Sequence, residues 1–184
     1  MKRLLDMLLS AAALVVLAVP LLAIALAVRL GSPGGALFRQ VRVGRKGRPF
    51  TLLKFRSMVA GADKLGPLHT NRGDPRVTRI GAFLRRTSLD ELPQLFNVLM
   101  GDMSLVGPRP DVPDMERLYT PSHWAERHRV RPGLTGLAQA TLRSEATPKE
   151  RLDLDLAYVR TASLQLDLKI MWWTLRQVTG KGSY

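Results

Sequence analysis

The sequence predicts an α+β fold, mostly helical. It combines an N-terminal re-entrant membrane helix, a short β-hairpin and amphipathic helices suited to a membrane interface. Three observations predict this. Met7 to Val28 is an uncharged apolar run of twenty-two residues. Two loosely alternating segments, 36–43 and 49–56, flank the turn-rich Gly44-Arg45-Lys46-Gly47. After Asp74, apolar residues recur at helical spacing.

The apolar run is long enough to cross a bilayer core as a helix. Lys2 and Arg3 precede it, and Arg29, Arg39, Arg42, Arg45 and Lys46 follow it. Positive charge stays on the cytoplasmic side of a membrane, so both ends belong on that side, and the helix must enter and turn back. Pro20 offers a break, because a proline inside a helix removes one backbone hydrogen bond and clashes with the carbonyl four residues earlier. The expectation is a helix-break-helix over residues 1–30, breaking near Val19-Pro20, then a cytoplasmic domain over 31–184 resting on the membrane face. Two alternatives stay open on this segment alone. One is a secretory signal with a small-residue pattern at Ala23-Ile24-Ala25 or Ala25-Leu26-Ala27. The other is a spanning anchor kinked by proline. Asp6 and the basic block beyond the run count against export.

Past the break-rich Gly31-Ser32-Pro33-Gly34-Gly35 come the two candidate strands, and then a loop from Gly61 to Gly73. Asp74 and Pro75 read as the cap and first position of a helix with an apolar stripe of Val77, Ile80, Phe83 and Leu84 under Arg76, Arg79, Arg85 and Arg86. A second short helix runs to Met100 with Leu92, Leu95, Phe96 and Leu99 inward and Gly101 as its stop. Gly101 to Pro113 reads as an ordered loop, and Arg131 to Gly136 as another turn-rich piece. Thr147 caps a helix from Pro148 to about Thr161. The last helix, Leu164 to Val178, lines up Leu164, Leu168, Met171, Trp172 and Leu175, a stripe for either ordinary core or a membrane interface.

The formal net charge is +13. Residues 29–86 hold fourteen basic and two acidic side chains, against fourteen and thirteen elsewhere, so the excess is one block beside the apolar run. Such a block reads as contact with anionic lipid headgroups or phosphate-rich ligands, with nucleic acid as the competitor. Scarce stacking aromatics weigh against nucleic acid, and none is expected as a partner. The chain has no cysteine, which excludes disulfides and thiolate chemistry. It has no phosphate-binding loop of the Walker type, no Gly-x-Gly-x-x-Gly and no serine elbow. His69, His123 and His128 lack metal-ligand spacing and read as surface residues.

The sharpest feature is Thr87-Ser88-Leu89-Asp90-Glu91-Leu92-Pro93. Two readings compete there. Ser88 with Glu91 is a capping box, or Asp90 itself is a cap. Alternatively, a carboxylate held among Arg85, Arg86 and Arg109 can attack phosphorus, with its neighbour as partner and a hard divalent ion, Mg²⁺, screening the charges. Pro108-Arg109-Pro110 fixes the backbone around one guanidinium and suits a phosphate clamp, and Lys54 and Arg56 are further phosphate candidates.

Several ordered motifs carry a resemblance: Lys54-Phe55-Arg56-Ser57-Met58, Asp74 through Gly81, Leu84 through Leu95, Gly101 through Pro110, and Arg131 through Gly136. From the apolar run to about Gln139 the chain resembles bacterial sugar transferases, the small monotopic phosphoglycosyl transferases that begin glycan assembly on polyprenyl phosphate. The resemblance implies a re-entrant helix broken at a proline, here Pro20, and catalysis at the cytoplasmic face of the bacterial inner membrane. It implies Asp90 as nucleophile toward a UDP-sugar and as a Mg²⁺ ligand, and Glu91 as its partner. Arg85 and Arg109, the latter between Pro108 and Pro110, fall on phosphate-contacting positions. The implied partners are a UDP-sugar and polyprenyl (undecaprenyl) phosphate. Many members break the helix at Ser-Pro, whereas this chain has Val19-Pro20.

Overall fold

The computed structural model describes residues 1–62, 65–66, 73–142 and 147–179. Much of the expected 61–73 loop, with His69, and residues 143–146 in the segment after Gly136 lie outside the described residues. Two apolar helices, α1 (Lys2–Val16) and α2 (Ala18–Gly31), open the chain and are bent by 65° at Leu17. Pro20 sits in the first turn of α2 and has no N–H, so the carbonyl of Val16, four residues back, loses its helical donor where α1 stops. Leu17 N–H still donates to Ala13, and Leu21 N–H to Leu17, both at 2.8 Å.

No single helix is long and apolar enough to cross a membrane, but the bent pair together is. Its outer side chains, among them Leu8, Val15, Val19, Leu22 and Leu26, are exposed. Both ends dock on the same folded domain. At the start, Lys2 Nζ binds Asp167 at 2.6 Å and the Val106 carbonyl at 3.1 Å. The buried Asp6 accepts from Ser104 Oγ at 2.9 Å and Leu105 N–H at 3.1 Å. At the far end, Val28 is buried with Phe55 and Leu84. Both ends of the bent pair thus contact one folded domain, an arrangement consistent with the expected re-entrant helix.

The hairpin pairs β1 (Leu37–Val43) with β2 (Pro49–Phe55), antiparallel, close to the expected bounds. The next helix starts later than Asp74. It is α3 (Arg79–Arg86), capped by Thr78, whose side chain accepts from Gly81 N–H at 2.9 Å. Asp74 cannot cap it, because its carboxylate chelates the Arg76 guanidinium and Val77 pairs in extended conformation with Met58. At Gly81 an added Cβ would lie 1.9 Å from the Ser57 carbonyl oxygen, so glycine lets α3 press against the backbone after β2. Loss of the Leu84 side chain beneath it would cost about 2–5 kcal/mol.

Helix α4 (Gln94–Met100) ends at Gly101 in the left-handed region, the expected stop. Its inward face is Gln94, Leu95, Asn97 and Val98, whereas Phe96 is exposed and Leu92 and Leu99 are only half-buried. Asn97 explains the shift: its side chain donates to Thr51 O at 2.7 Å and accepts from Leu53 N–H at 3.0 Å, tying α4 to β2. The two turn-rich pieces hold a second sheet, in which β3 (Ser104–Val106) runs parallel to β4 (Gly133–Thr135).

Helices α5 (Pro121–Arg127), α6 (Leu137–Thr141), α7 (Pro148–Thr161) and α8 (Leu164–Thr179) close the domain. Thr147 and Glu150 form a reciprocal capping box at α7. Val106, Ala140, Tyr158 and Ile170 form the core beneath α7 and α8. Of the expected stripe on α8, Met171 packs against this core, but Leu164, Leu168, Trp172 and Leu175 are exposed, Trp172 by 61%.

Candidate active site

Strand register selects the side chains that meet. Phe38 stands opposite Lys54, Gln40 opposite Leu52 and Arg42 opposite Phe50, so pleat alternation puts Lys54 and Arg42 on one face of the hairpin. The Lys54 ammonium lies 5.3 Å from the Phe38 ring centroid. Arg85 arrives from the last turn of α3, and its Nε donates to Ser57 Oγ at 2.8 Å, which fixes the direction of the guanidinium. Ser88 then adopts a left-handed conformation (φ 56°), and one 3₁₀ turn, Leu89–Glu91, packs against β2 and α3. That turn carries Asp90 inward, to 7% exposure, with Glu91 beside it.

The acidic pair does not cap a helix. Neither Ser88 nor Pro93, which precedes α4, makes a side-chain cap bond. Glu91 instead accepts from Arg109, Nη2 to Oε1 at 2.6 Å and Nη1 to Oε2 at 3.4 Å. Burial pushes the Asp90 carboxyl above the usual carboxylate range and Glu91 adds to the push, while Lys54 and Arg85 oppose it. Burial also holds Lys54 below the usual ammonium range, with Asp90 opposing. Arg85 is lowered for the same first reason, whereas Arg109 is raised, chiefly by the charge of Glu91. Asp90 is therefore a poorly solvated carboxylate facing two cations, as suits a nucleophile toward an anionic phosphate.

The Arg109 loop is held from behind. Gly107 N–H donates to Thr135 O and Gly133 N–H to Pro108 O, each at 2.9 Å. A Cβ on Gly107 would lie 2.3 Å from Arg131 O, and one on Gly133 would lie 2.1 Å from Gly107 N, so this approach requires glycine at both. Two motifs distant in sequence thus form one support. Arg127, 5% exposed on α5, donates Nη2 to the Arg109 carbonyl at 2.8 Å and binds Asp111 and Asp155. Arg42 Nη1 donates to the Pro110 carbonyl at 2.8 Å. Pro108 and Pro110 are buried, while the Arg109 side chain is 54% exposed and reaches Glu91.

Residues 1–181 match the family model for bacterial sugar transferases. The chain belongs to that family. It is 48% identical over 182 residues to the UDP-glucose:undecaprenyl-phosphate glucose-1-phosphate transferase of Caulobacter vibrioides, covering 95% of this chain and 68% of that protein. Against the enzyme of the same name from Escherichia coli, identity is 43% over 182 residues, covering 95% of this chain but 39% of the relative. The exopolysaccharide production protein PSS of Rhizobium leguminosarum matches nearly end to end, 44% identical over 197 residues, with 99% and 98% covered. The chain thus spans about two-thirds of the Caulobacter relative, two-fifths of the Escherichia coli one and almost all of the Rhizobium one.

In this sugar transferase, Asp90, Lys54 and Arg85 gather through the hairpin face, α3 and the 3₁₀ turn, and Glu91 bonds Arg109 between its two prolines. Arg56 is not brought in. It is buried, and its guanidinium donates to the carbonyls of Gly35 and Ser32, both at 2.8 Å, and of Pro33, at the exit from α2. Pro20 lies in the helix pair. Sequence reasoning missed Arg42, Ser57 and Arg127 as supports. Arg42 had a signal, the strand parity it shares with Gln40 on the covered face. Arg127 had none within Glu126-Arg127-His128-Arg129. His128, expected at the surface, is buried against Trp124, their ring centroids 4.1 Å apart, and burial pushes its pKa down.

Among the described residues no group of three or more His, Asp or Glu side chains could hold a metal ion. Mg²⁺ rarely needs such a cage: one or two carboxylates plus substrate phosphates suffice. Asp90 fits that role, since Glu91 is taken by Arg109.

Proposed function

We propose that this sugar transferase moves a sugar 1-phosphate from a UDP-sugar to undecaprenyl phosphate and releases UMP, at the cytoplasmic face of the bacterial inner membrane. The observation that carries the reading is Asp90: a buried carboxylate opposed by Lys54 and Arg85, on a domain that holds both ends of an apolar helix pair. The relatives' names supply the two substrates.

In the first half-reaction an Asp90 oxygen attacks the β-phosphorus of the UDP-sugar. The bond from that phosphorus to the oxygen bridging to the α-phosphate breaks, and UMP leaves with the electron pair. In the second, a phosphate oxygen of undecaprenyl phosphate attacks the same phosphorus and the Asp90 carboxylate departs, leaving undecaprenyl diphosphate sugar. Lys54 and Arg85 offset the charge that gathers on the phosphoryl oxygens. Arg109, held by Glu91 until substrate arrives, exchanges that partner for a phosphate. Asp90 would hold Mg²⁺, which when bound would neutralise part of the diphosphate charge. Insertion of the bent pair in the membrane would hold the site near the surface at which the lipid acceptor presents its phosphate.

The test is UMP release by the detergent-solubilised protein from a panel of UDP-sugars, with and without undecaprenyl phosphate. Steady release that requires the lipid phosphate, together with a lipid-linked product, supports the transferase. Equal release without the lipid would instead show a hydrolase using water as acceptor.

A further inference from the structure

A second basic site lies apart from the acidic pair. The tip of the hairpin, the end of α4 and the segment before β4 enclose a cleft of about 310 Å³, lined by Arg45, Lys46, Arg48 and Arg131, with Phe50 and Asp102 among its other walls. That volume is at the small end of ligand sites. Six residue steps along the strand separate Arg48 from Lys54, about 20 Å of extended chain, so this cleft does not overlap the site at Asp90. A neighbouring cleft shares Arg45 and Arg131 and adds Lys2, Arg3 and Arg129.

The charges in the two clefts do not balance. Lys2 is paired with Asp167, and Asp6 is satisfied by Ser104 and Leu105. Arg45 and Arg131 use one nitrogen each on the carbonyls of Arg129 and Gly101. Among the described residues Arg45, Lys46, Arg48, Arg129 and Arg131 have no carboxylate ion pair, and Asp102 is the one acid in the outer cleft. The backbone enforces the crowding: Lys46 sits in the left-handed region (φ 59°), and its N–H donates to His128 O at 2.7 Å. Four of these cations line the outer cleft and Arg129 the neighbouring one, a concentration of positive charge that favours an anion.

The position of the cleft identifies the anion. Gly101 on its wall stands within 3.3 Å, Cβ position to Nη2, of Arg3 in α1. Their sequence neighbours, Leu4 on α1 and Met100 on α4, are apolar and 62% and 63% exposed. The cleft therefore opens where the chain passes from a charged surface into the apolar helix pair, the level of lipid phosphates. We infer that the Arg45–Arg48 turn and Arg131 form a binding site for the phosphodiester headgroup of an anionic membrane phospholipid, separate from the Asp90 site. The site rests on the membrane-inserted reading of α1 and α2 and is independent of the phosphoryl-transfer reading.

The test is the thermal unfolding of the full detergent-solubilised chain during titration with dihexanoyl-phosphatidylglycerol, dihexanoyl-phosphatidylcholine or inorganic phosphate. The cleft variant is Lys46→Asn/Arg48→Gln. Neither side chain makes a hydrogen bond or ion pair among the described residues, and Asn tolerates the left-handed backbone at position 46. An Arg85→Gln/Arg109→Gln variant controls for lipid phosphate binding at the Asp90 site. Phosphatidylglycerol is expected to raise the unfolding temperature more than the other two, in the wild type and in the Arg85/Arg109 variant. The cleft variant should need about thirty-fold more phosphatidylglycerol, from roughly five-fold per basic side chain at an anionic lipid surface. The response should also weaken with added salt. An equal response to inorganic phosphate overturns the lipid assignment in favour of a free-anion site. An unchanged response in the cleft variant, or no preference for phosphatidylglycerol over phosphatidylcholine, overturns the site itself.

Discussion

Replacing Arg127 with Met asks whether the Arg109 loop depends on the buried cation behind it. Arg127 meets Asp155 through Nε at 3.0 Å and Nη2 at 2.7 Å, binds Asp111, and donates to the Arg109 carbonyl. Methionine keeps much of the apolar stem and removes the charge. Removing one partner of a buried ion pair costs about 3–5 kcal/mol, because the other is left charged and unpaired; here two carboxylates are left. In a chain of this size each kcal/mol shifts Tm by about 2–4 °C, so a fall of roughly 6–20 °C is expected by differential scanning fluorimetry. Burial already pushes Asp111 and Asp155 above the usual carboxylate range, with Arg127 opposing. Without Arg127 they rise further. A raised folded-state pKa favours the folded state at low pH and loses that advantage as pH climbs through it, so the deficit should grow with pH. Arg127→Met/Asp111→Asn/Asp155→Asn removes all three charges of this cluster and should recover most of the Tm. That variant still lacks the bond to the Arg109 carbonyl, so kcat for lipid-dependent UMP release should stay about ten- to a hundred-fold low, the cost of a misplaced positioning group. A Tm loss below about 3 °C in the single variant, or wild-type kcat in the triple variant, would refute a supporting role for Arg127.

Three further outcomes follow from the same geometry. Asp90→Asn should abolish UMP release while Tm holds or rises, because a neutral amide avoids the burial that pushes the carboxyl up; residual turnover near wild type removes Asp90 as nucleophile. The pH profile of UMP release should be drawn in from both sides, since activity needs ionised Asp90, raised by burial, and charged Lys54, lowered by burial. Lys54→Met should flatten the alkaline limb, and an unchanged limb would assign it to another group. Arg56→Ala should lower Tm and leave the KM for the UDP-sugar unchanged, because its donors serve carbonyls at the exit of α2; a raised KM at unchanged Tm would put Arg56 back among the phosphate contacts.

Elements with local chemistry were legible. α7 announces itself through Thr147, Pro148 and Glu150, which act within one turn, and the hairpin through alternation around a Gly-bounded turn. The start of α3 was not legible as Asp74-Pro75, because a strand-like contact between Val77 and Met58 intervenes. Asp-Pro is a good cap signal, yet a nearby Arg76 offers the carboxylate a stronger partner than a backbone N–H. The strands β3 and β4 were hidden because three residues are too few to show alternation. Their pairing rests on close glycine contacts across about thirty positions of sequence.

The site shows the same division between local and non-local causes. Asp90 and Glu91 stood out because two adjacent acids follow a basic block, and Arg109 because two prolines flank it. Assigning Arg56 to the phosphate set required information that the sequence does not hold. Strand parity places residue 56 on the face of residue 54, and both are cations two positions apart. The strand ends at Phe55, however, and α2 delivers the carbonyl oxygens of Val28 and Ser32 beside Arg56. Carbonyls at a helix C-terminus lack intrahelical donors and carry partial negative charge, so they draw a guanidinium that would otherwise face the site. Lys54, one turn of the pleat earlier, meets no such competitor and stays with Asp90. Helix α2 therefore shapes the candidate site indirectly: by engaging Arg56 at its exit, it leaves Lys54 and Arg85 as the cations opposing Asp90.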